Sequence, residues 1–161
     1  MPTAMLELPA ACYVRSTQML AKCCNGLSEQ EWGRQPNDCA NCMKWIVGHL
    51  VWARSRAIAL LGSQWERSWQ AQFARGEKPC DPALYPAPAE MLAAWQEAAD
   101  VLAAALETVS EERLAEPVKQ PSPSFDGKIS GMVSFLAFHE AYHVGQAAYL
   151  RRWLGHDGPV G

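Results

Sequence analysis

Four segments of the sequence repeat apolar residues every three or four positions, and proline- or glycine-rich stretches separate them. This spacing places the apolar side chains on one face of a helix, and no segment shows the sustained alternation typical of a strand. The first segment carries its stripe from Tyr13 to Leu27. The others cover about residues 41–61, 88–109 and 130–154. We therefore predict an all-α chain that folds as a single four-helix-bundle domain over residues 1–161.

Local signals place the ends of these helices. Pro9 suits the first turn of helix one, Gly26 and Gly62 suit the ends of helices one and two, and Gly155 suits the end of the last helix. Ser130 is predicted to be the N-cap of the last helix. Arg151 and Arg152 suit the negative end of its dipole. Residues 28–38 are interpreted as a polar connection.

A long connection, residues 63–87, joins the second helix to the third. Trp65, Trp69 and Phe73 are spaced four apart, which predicts a short extra amphipathic helix in its first half. Several prolines make regular structure unexpected in its second half. Connections of this length often form the wall or lid of a functional pocket.

Composition excludes several classes of protein. The formal net charge is −3 and basic residues do not cluster, so we expect neither nucleic acid nor a membrane surface as partner. No apolar run reaches the roughly 20 residues of a spanning helix, and the N-terminus does not resemble a secretory signal. The six cysteines are irregularly spaced. We therefore expect reduced thiols in a cytoplasmic protein.

Three of the four histidines form a candidate metal site. His139 and His143 are four residues apart, so one helical face carries both rings. His49 lies in another helix and could complete the site from across the bundle. Three imidazoles with an open position are typical of a catalytic metal centre. The alternative for His49 is a hydrogen-bonded core residue, whereas two stacked imidazoles at 139 and 143 need partners of their own.

Neighbouring residues supply candidate outer contacts. At about 100° per residue, Tyr142 and Gln146 share the inward face of His139 and His143, and Glu140 lies nearer the edge. The string His139–His143 also matches the HExxH pattern, in which glutamate is a general base. No extension of the zinc-protease signature follows it. Glu140 is therefore either a proton acceptor or a partner on the helix surface.

Aromatic and thiol side chains also surround His49 in the sequence. Trp45, His49, Trp52, Arg56 and Leu60 are predicted to share the inner face of helix two. Trp45 and Trp52, with Trp65 and Trp69, could wall a pocket or pack as ordinary core. Cys42 could line the pocket mouth or simply be packed. Cys39 and Cys42 form a CxxC pair whose redox activity stays open, and His156 is expected to be solvated.

The two histidine segments together resemble the DinB/YfiT superfamily. The pattern W-x-x-x-H, Trp45 to His49, pairs with H-E-A-Y-H-V-G-Q, His139 to Gln146, and residues 147–155 continue the likeness. The resemblance implies a four-helix bundle, often a homodimer. It also implies one divalent ion per chain held by His49, His139 and His143.

The resemblance leaves the reaction open. Characterised relatives include thiol S-transferases that use bacillithiol or mycothiol, a mycothiol-dependent maleylpyruvate isomerase, and the metal-binding domain of ergothioneine-type sulfoxide synthases. We expect zinc or nickel, with iron as a further candidate, and a small-molecule substrate together with a low-molecular-weight thiol. One hypothesis is an enzyme whose metal activates a thiol or water, as a transferase or hydrolase. The alternative is a metal-binding or stress-response protein without turnover.

Overall fold

The chain is all-helical in the computed structural model, which describes residues 2–77 and 80–160. Within those ranges no strand occurs, and the only bridge pairs Pro117 with Lys128. The prediction of an all-α four-helix bundle is confirmed. Four long helices build it: α1 (Glu7–Cys24), α3 (Met43–Leu60), α4 (Pro88–Thr108) and α6 (Ile129–Trp153). Two short helices are α2 (Glu29–Gly33) and α5 (Glu111–Ala115), and 3-10 turns cover Ala4–Leu6, Gln70–Phe73 and Pro82–Leu84.

The long helices pack in a ring. α1 contacts α6 and α4, and α3 contacts the same two helices from the other side. One apolar cluster centres on Trp32, Met43 and Trp95, and a second on Leu6, Leu102 and Val133. The interior of such a ring is where side chains from separate helices converge.

The start of α6 differs from the prediction. Ser130 is not the N-cap, because the helix begins at Ile129 and Lys128 occupies the cap position. Asp126 takes over the capping role: its carboxylate accepts hydrogen bonds from the backbone N–H of Lys128 at 2.8 Å and of Gly131 at 3.0 Å. It also accepts one from the Ser130 hydroxyl at 2.8 Å. A carboxylate at this end also suits the positive pole of the helix dipole.

The stretch 28–38 is not merely a polar connection. Ser28 and Glu31 form a reciprocal capping box that starts α2, an arrangement that satisfies free N–H groups of the first turn. The short helix places Trp32 in the core, where it is 2% exposed. α5 starts at a simpler cap, in which the Ser110 hydroxyl accepts a hydrogen bond from the backbone N–H of Arg113.

The predicted extra helix between α3 and α4 is reduced to one 3-10 turn. Trp65 and Trp69 precede this turn, and Phe73 at its end is fully buried. No helix in the described part of the chain is long and apolar enough to span a bilayer.

Candidate metal centre

The three predicted histidines meet at one point between α3 and α6. The Nε2 atom of His139 lies 3.2 Å from His49 Nε2 and 3.1 Å from His143 Nε2. One potential ligand atom from each ring falls within 4.8 Å of the others. Among the described residues, this is the one group of three histidine, cysteine or acidic side chains that comes together in this way.

These separations suit a shared ion. Two nitrogens bound tetrahedrally at 2.0–2.1 Å from one metal are about 3.3 Å apart. The two measured Nε2 distances are close to that value. Two of the three pairs of rings are therefore already at the separation that a shared divalent ion requires.

The opposite side of two of these rings is fixed by hydrogen bonds. His49 Nδ1 lies 2.7 Å from the carbonyl oxygen of Phe73. His143 Nδ1 lies 2.8 Å from Gln146 Oε1. An oxygen of this kind only accepts, so each Nδ1 carries the hydrogen. The Nε2 atoms of neutral His49 and His143 then present lone pairs to the centre.

Without a bound cation, the three histidines cannot satisfy all of their ring nitrogens. His139 Nε2 can donate one hydrogen to one neighbour, so only one of the two short Nε2 contacts can be a hydrogen bond. His139 Nδ1 is buried and has no partner among the described residues. Lone pairs that face each other in a buried site are unfavourable unless a cation or proton lies between them. The three histidines are therefore suited to binding a cation between them.

Burial keeps all three rings neutral. It lowers the pKa of His49, and it lowers the pKa of His143 with a smaller contribution from His49. Burial lowers the pKa of His139 to about 4, with further contributions from His143, His49 and Arg75. Neutral imidazole is the form that binds metal, so the set is ready for an ion at neutral pH.

Two indole rings enclose His49. Trp45 stacks on the imidazole with ring centroids 4.7 Å apart and planes 10° apart. Trp52 stacks at 5.4 Å and 27°. Both tryptophans pack against the first apolar cluster and also line the adjoining cavity, so the predicted inner face of α3 forms one wall of a pocket. Trp65 and Trp69 are not among the residues that line it.

The Phe73 carbonyl reaches His49 because α3 has a glycine beside it. A Cβ placed on Gly48 would lie 2.5 Å from three carbons of the Phe73 ring. The ring packs directly against the Gly48 backbone, and no larger residue fits there without movement. The turn Gln70–Phe73 is thereby held next to the site.

The predicted inward stripe of α6 is only partly correct. Gln146 contacts His143 as expected, but Tyr142 is 59% exposed and touches His143 from the outside, with ring centroids 5.1 Å apart. Glu140 is neither at the edge nor on the surface: it is 1% exposed and paired with Arg54 in the core. α6 is rotated so that Glu140 faces α1 and α3, which was not predictable without knowing its partner.

The thiols and the fourth histidine lie elsewhere. Cys42 is buried at the N-cap of α3 and is not among the residues that line the cavity, so of the two alternatives the structure favours simple packing over a thiol at the pocket mouth. Burial raises the pKa of Cys42, which disfavours its reactive thiolate. All six cysteines are free, and Cys39 is exposed. His156 is not simply solvated, because its Nε2 lies 2.8 Å from Glu31 Oε1.

A cavity of about 710 Å³ opens beside the three histidines. This is within the range of small-molecule sites. Its walls come from α3, α6 and the loops around Arg75 and Lys119. Among the described residues that line it, none is an aspartate or a glutamate.

Solved structures share this architecture. A conserved protein from Enterococcus faecalis superposes with a TM-score of 0.73 at 15% identity, covering 94% of this chain and 96% of that one. YfiT from Bacillus subtilis, described as a probable metal-dependent hydrolase with an unusual four-helix bundle topology, superposes with a TM-score of 0.65 at 14% identity. That match covers 94% of this chain and 88% of YfiT. These likenesses show the fold.

Sequence comparison identifies the family. No curated protein matches the chain. The family model of the DinB superfamily matches residues 13–147, which include His49, His139 and His143. The chain belongs to the DinB superfamily.

Proposed function

We propose that this protein is a divalent-metal-dependent enzyme whose ion is held by the Nε2 atoms of His49, His139 and His143. The observation that carries the proposal is the convergence of these atoms, with Nδ1 of His49 and His143 tied to fixed acceptors. Imidazole serves zinc and nickel well and also binds iron. We propose zinc or nickel as the native ion.

A bound divalent ion lowers the pKa of a coordinated thiol or water and so supplies a nucleophile near neutral pH. The protein's own groups orient and shield the imidazoles that would hold the ion. The Phe73 carbonyl and Gln146 hold two imidazoles in orientation. The stacked rings of Trp45 and Trp52 keep solvent away from His49.

The absence of a lining carboxylate favours a thiol over water as the nucleophile. Glu140 is engaged by Arg54, and the described residues place no other acidic group in the cavity wall. Water, with a pKa of about 15.7, needs far more help to lose its proton than a thiol of pKa about 8.5. We therefore propose thiol S-transfer to an electrophile as the first activity to test, with a small external thiol as co-substrate.

Hydrolysis is the second candidate. Its support is the description of YfiT, which has the same fold, as a probable metal-dependent hydrolase. In this chain the proton of the attacking water would have to leave to solvent or to an exposed group. Gln146 and Tyr142 both contact His143 and are polar groups beside the site.

The test is turnover by metal-loaded protein. Zinc- and nickel-loaded samples are assayed with N-acetylcysteine plus chlorodinitrobenzene, and separately with 4-nitrophenyl acetate. Metal-dependent acceleration that disappears in His139→Ala supports an enzyme. Stoichiometric metal without acceleration across a wider panel of thiols, electrophiles and esters would favour the alternative, a metal-binding or stress-response protein without turnover.

We also propose a homodimer. Phe138, Tyr142 and Tyr149 are 59–69% exposed and lie along α6 at helical spacing. Exposed aromatic surface of this kind often marks an interface. Light scattering should give about twice the 17.8 kDa chain mass, and a mass equal to one chain would contradict the proposal.

A further inference from the structure

Three basic side chains line the cavity beside the histidines. Arg56 comes from α3, Arg75 from the segment after the Gln70–Phe73 turn, and Lys119 from the loop between α5 and α6. They approach the same space from separate parts of the chain. The part of the cavity wall that the structure describes contains no acidic residue, so its local charge is positive, although the chain as a whole carries −3.

None of these three cations has a protein partner among the described residues. Arg54, Arg67 and Arg113 each form an ion pair with a glutamate elsewhere in the molecule. Arg56, Arg75 and Lys119 form no such pair, and all three are exposed. Their charge is therefore available to a molecule that enters the cavity.

The rest of the wall is mainly apolar. Leu60, Val118, Met132, Phe135 and Leu136 line it together with Trp45 and Trp52. At about 710 Å³ the space is much larger than a simple inorganic anion needs. Apolar walls with a few converging polar groups are how proteins bind organic molecules and fix their orientation.

We propose that the substrate is an organic anion, a carboxylate on an apolar or aromatic body, whose carboxylate is bound by Arg56, Arg75 and Lys119 while its reactive end faces the three histidines. Arginine pairs well with carboxylate because its planar guanidinium donates two parallel hydrogen bonds. This inference rests on the proposed metal site, because the histidines define the reactive end of the cavity.

Two matched probes separate the basic wall from the metal. The first is 4-carboxybenzohydroxamate, and the second is its uncharged 4-carbamoyl analogue. Both carry the same hydroxamate to chelate the ion, and they differ only in the charge at the far end. Calorimetric titration of each into the zinc-loaded full-length protein measures what that remote charge contributes.

The charged probe should bind about tenfold more tightly than the uncharged one, a ratio worth about 1.4 kcal/mol. The preference should weaken with added salt. Equal affinities would overturn the inference and leave the proposed function standing. Failure of both probes to bind the zinc-loaded protein would overturn the accessible metal site, and this inference with it.

Variants locate the effect. Arg56→Gln and Arg75→Gln should each reduce the preference for the charged probe several-fold, and the double variant should remove most of it. Affinity for the uncharged probe should stay unchanged, which also shows that the site is folded. Arg15→Gln is the control, because Arg15 is exposed and lies in a groove between α1 and α6 away from the histidines. A preference that survives the double variant, or that falls equally in the control, would contradict the assignment.

Discussion

Arg54 and Glu140 form a two-bond ion pair that is almost completely buried between α3 and α6. The guanidinium Nε lies 2.9 Å from one carboxylate oxygen, and a terminal nitrogen lies 2.8 Å from the other. The same guanidinium lies 3.3 Å from the centroid of the Trp95 ring and donates to Thr17 Oγ1 at 2.7 Å. Glu140 immediately follows His139, so this pair fixes the rotation of α6 that turns the histidines toward His49.

Removing one member of the pair should be strongly destabilising. Arg54→Met or Glu140→Gln leaves the other group buried without its partner, and breaking a buried pair in this way costs about 3–5 kcal/mol. Urea unfolding of the metal-free proteins measures the loss. The double variant Arg54→Met/Glu140→Leu should recover part of it, because no lone charge is left in the core. A loss below about 1 kcal/mol in both single variants would contradict this role.

Gly48→Ala should disturb both stability and metal binding. Its new Cβ would press against the Phe73 ring, and overpacking of this kind costs about 1–3 kcal/mol. Movement of Phe73 also takes its carbonyl away from His49 Nδ1, so metal affinity should fall.

Gly145→Ala is the matched control, because Gly145 is an exposed glycine of α6 with no atom within 4 Å of its added Cβ. That change should be neutral or should stabilise the helix by up to about 1 kcal/mol. Equal behaviour of the two variants in urea unfolding and zinc competition would refute the argument.

Gln146 should tune the affinity of the site for its ion. Gln146→Ala removes the acceptor of the His143 Nδ1 hydrogen, and loss of such an outer partner weakens metal binding about 10–100-fold. Gln146→Glu keeps an oxygen in place and should retain most of the affinity. Competition against a chromogenic zinc chelator gives the constants, with Gln96→Ala on the exposed face of α4 as control. An unchanged constant in Gln146→Ala would show that this contact is incidental.

The metal-free protein should lose stability as the pH falls through the histidine range. Burial lowers the folded-state pKa of His49, His139 and His143, that of His139 from 6.5 to about 4. Between these values the unfolded chain binds more protons than the folded one, so the free energy of unfolding rises with pH there. The contribution is fully present above 6.5 and is lost as the pH falls toward 4.

Urea midpoints measured from neutral pH down to about pH 4 test this dependence. His139→Gln should flatten the curve, because one of the shifted groups is removed. The same slope in the variant and the parent protein would assign the dependence to other groups.

The sequence predicted the parts of the site that depend on local spacing. His139 and His143 share a face because they are four residues apart, and Trp45, His49 and Trp52 follow the same rule on α3. Local spacing could not predict how α6 is rotated about its axis. A helical wheel orders the faces of α6 but does not say which one meets the core, and the decisive partner of Glu140 lies 86 residues away.

The backbone and loop contacts of the site itself could not be predicted from the sequence. The Phe73 carbonyl carries no side-chain signature, although Gly48 inside a helix was a hint of close approach. The capping box formed by Ser28 and Glu31 could have been recognised in the sequence, and it marks the start of α2. Arg56, Arg75 and Lys119 come from three separate segments, so only the folded chain shows them in one cavity.

Metal content of protein purified without an affinity tag is the most direct test of the central claim. Mass-spectrometric analysis should find about one divalent ion per chain in the parent protein and in His156→Ala, which removes the one histidine outside the trio. His139→Ala should hold less than about a tenth of that amount while keeping its helical circular dichroism. Full metal content in folded His139→Ala would contradict the three-histidine centre.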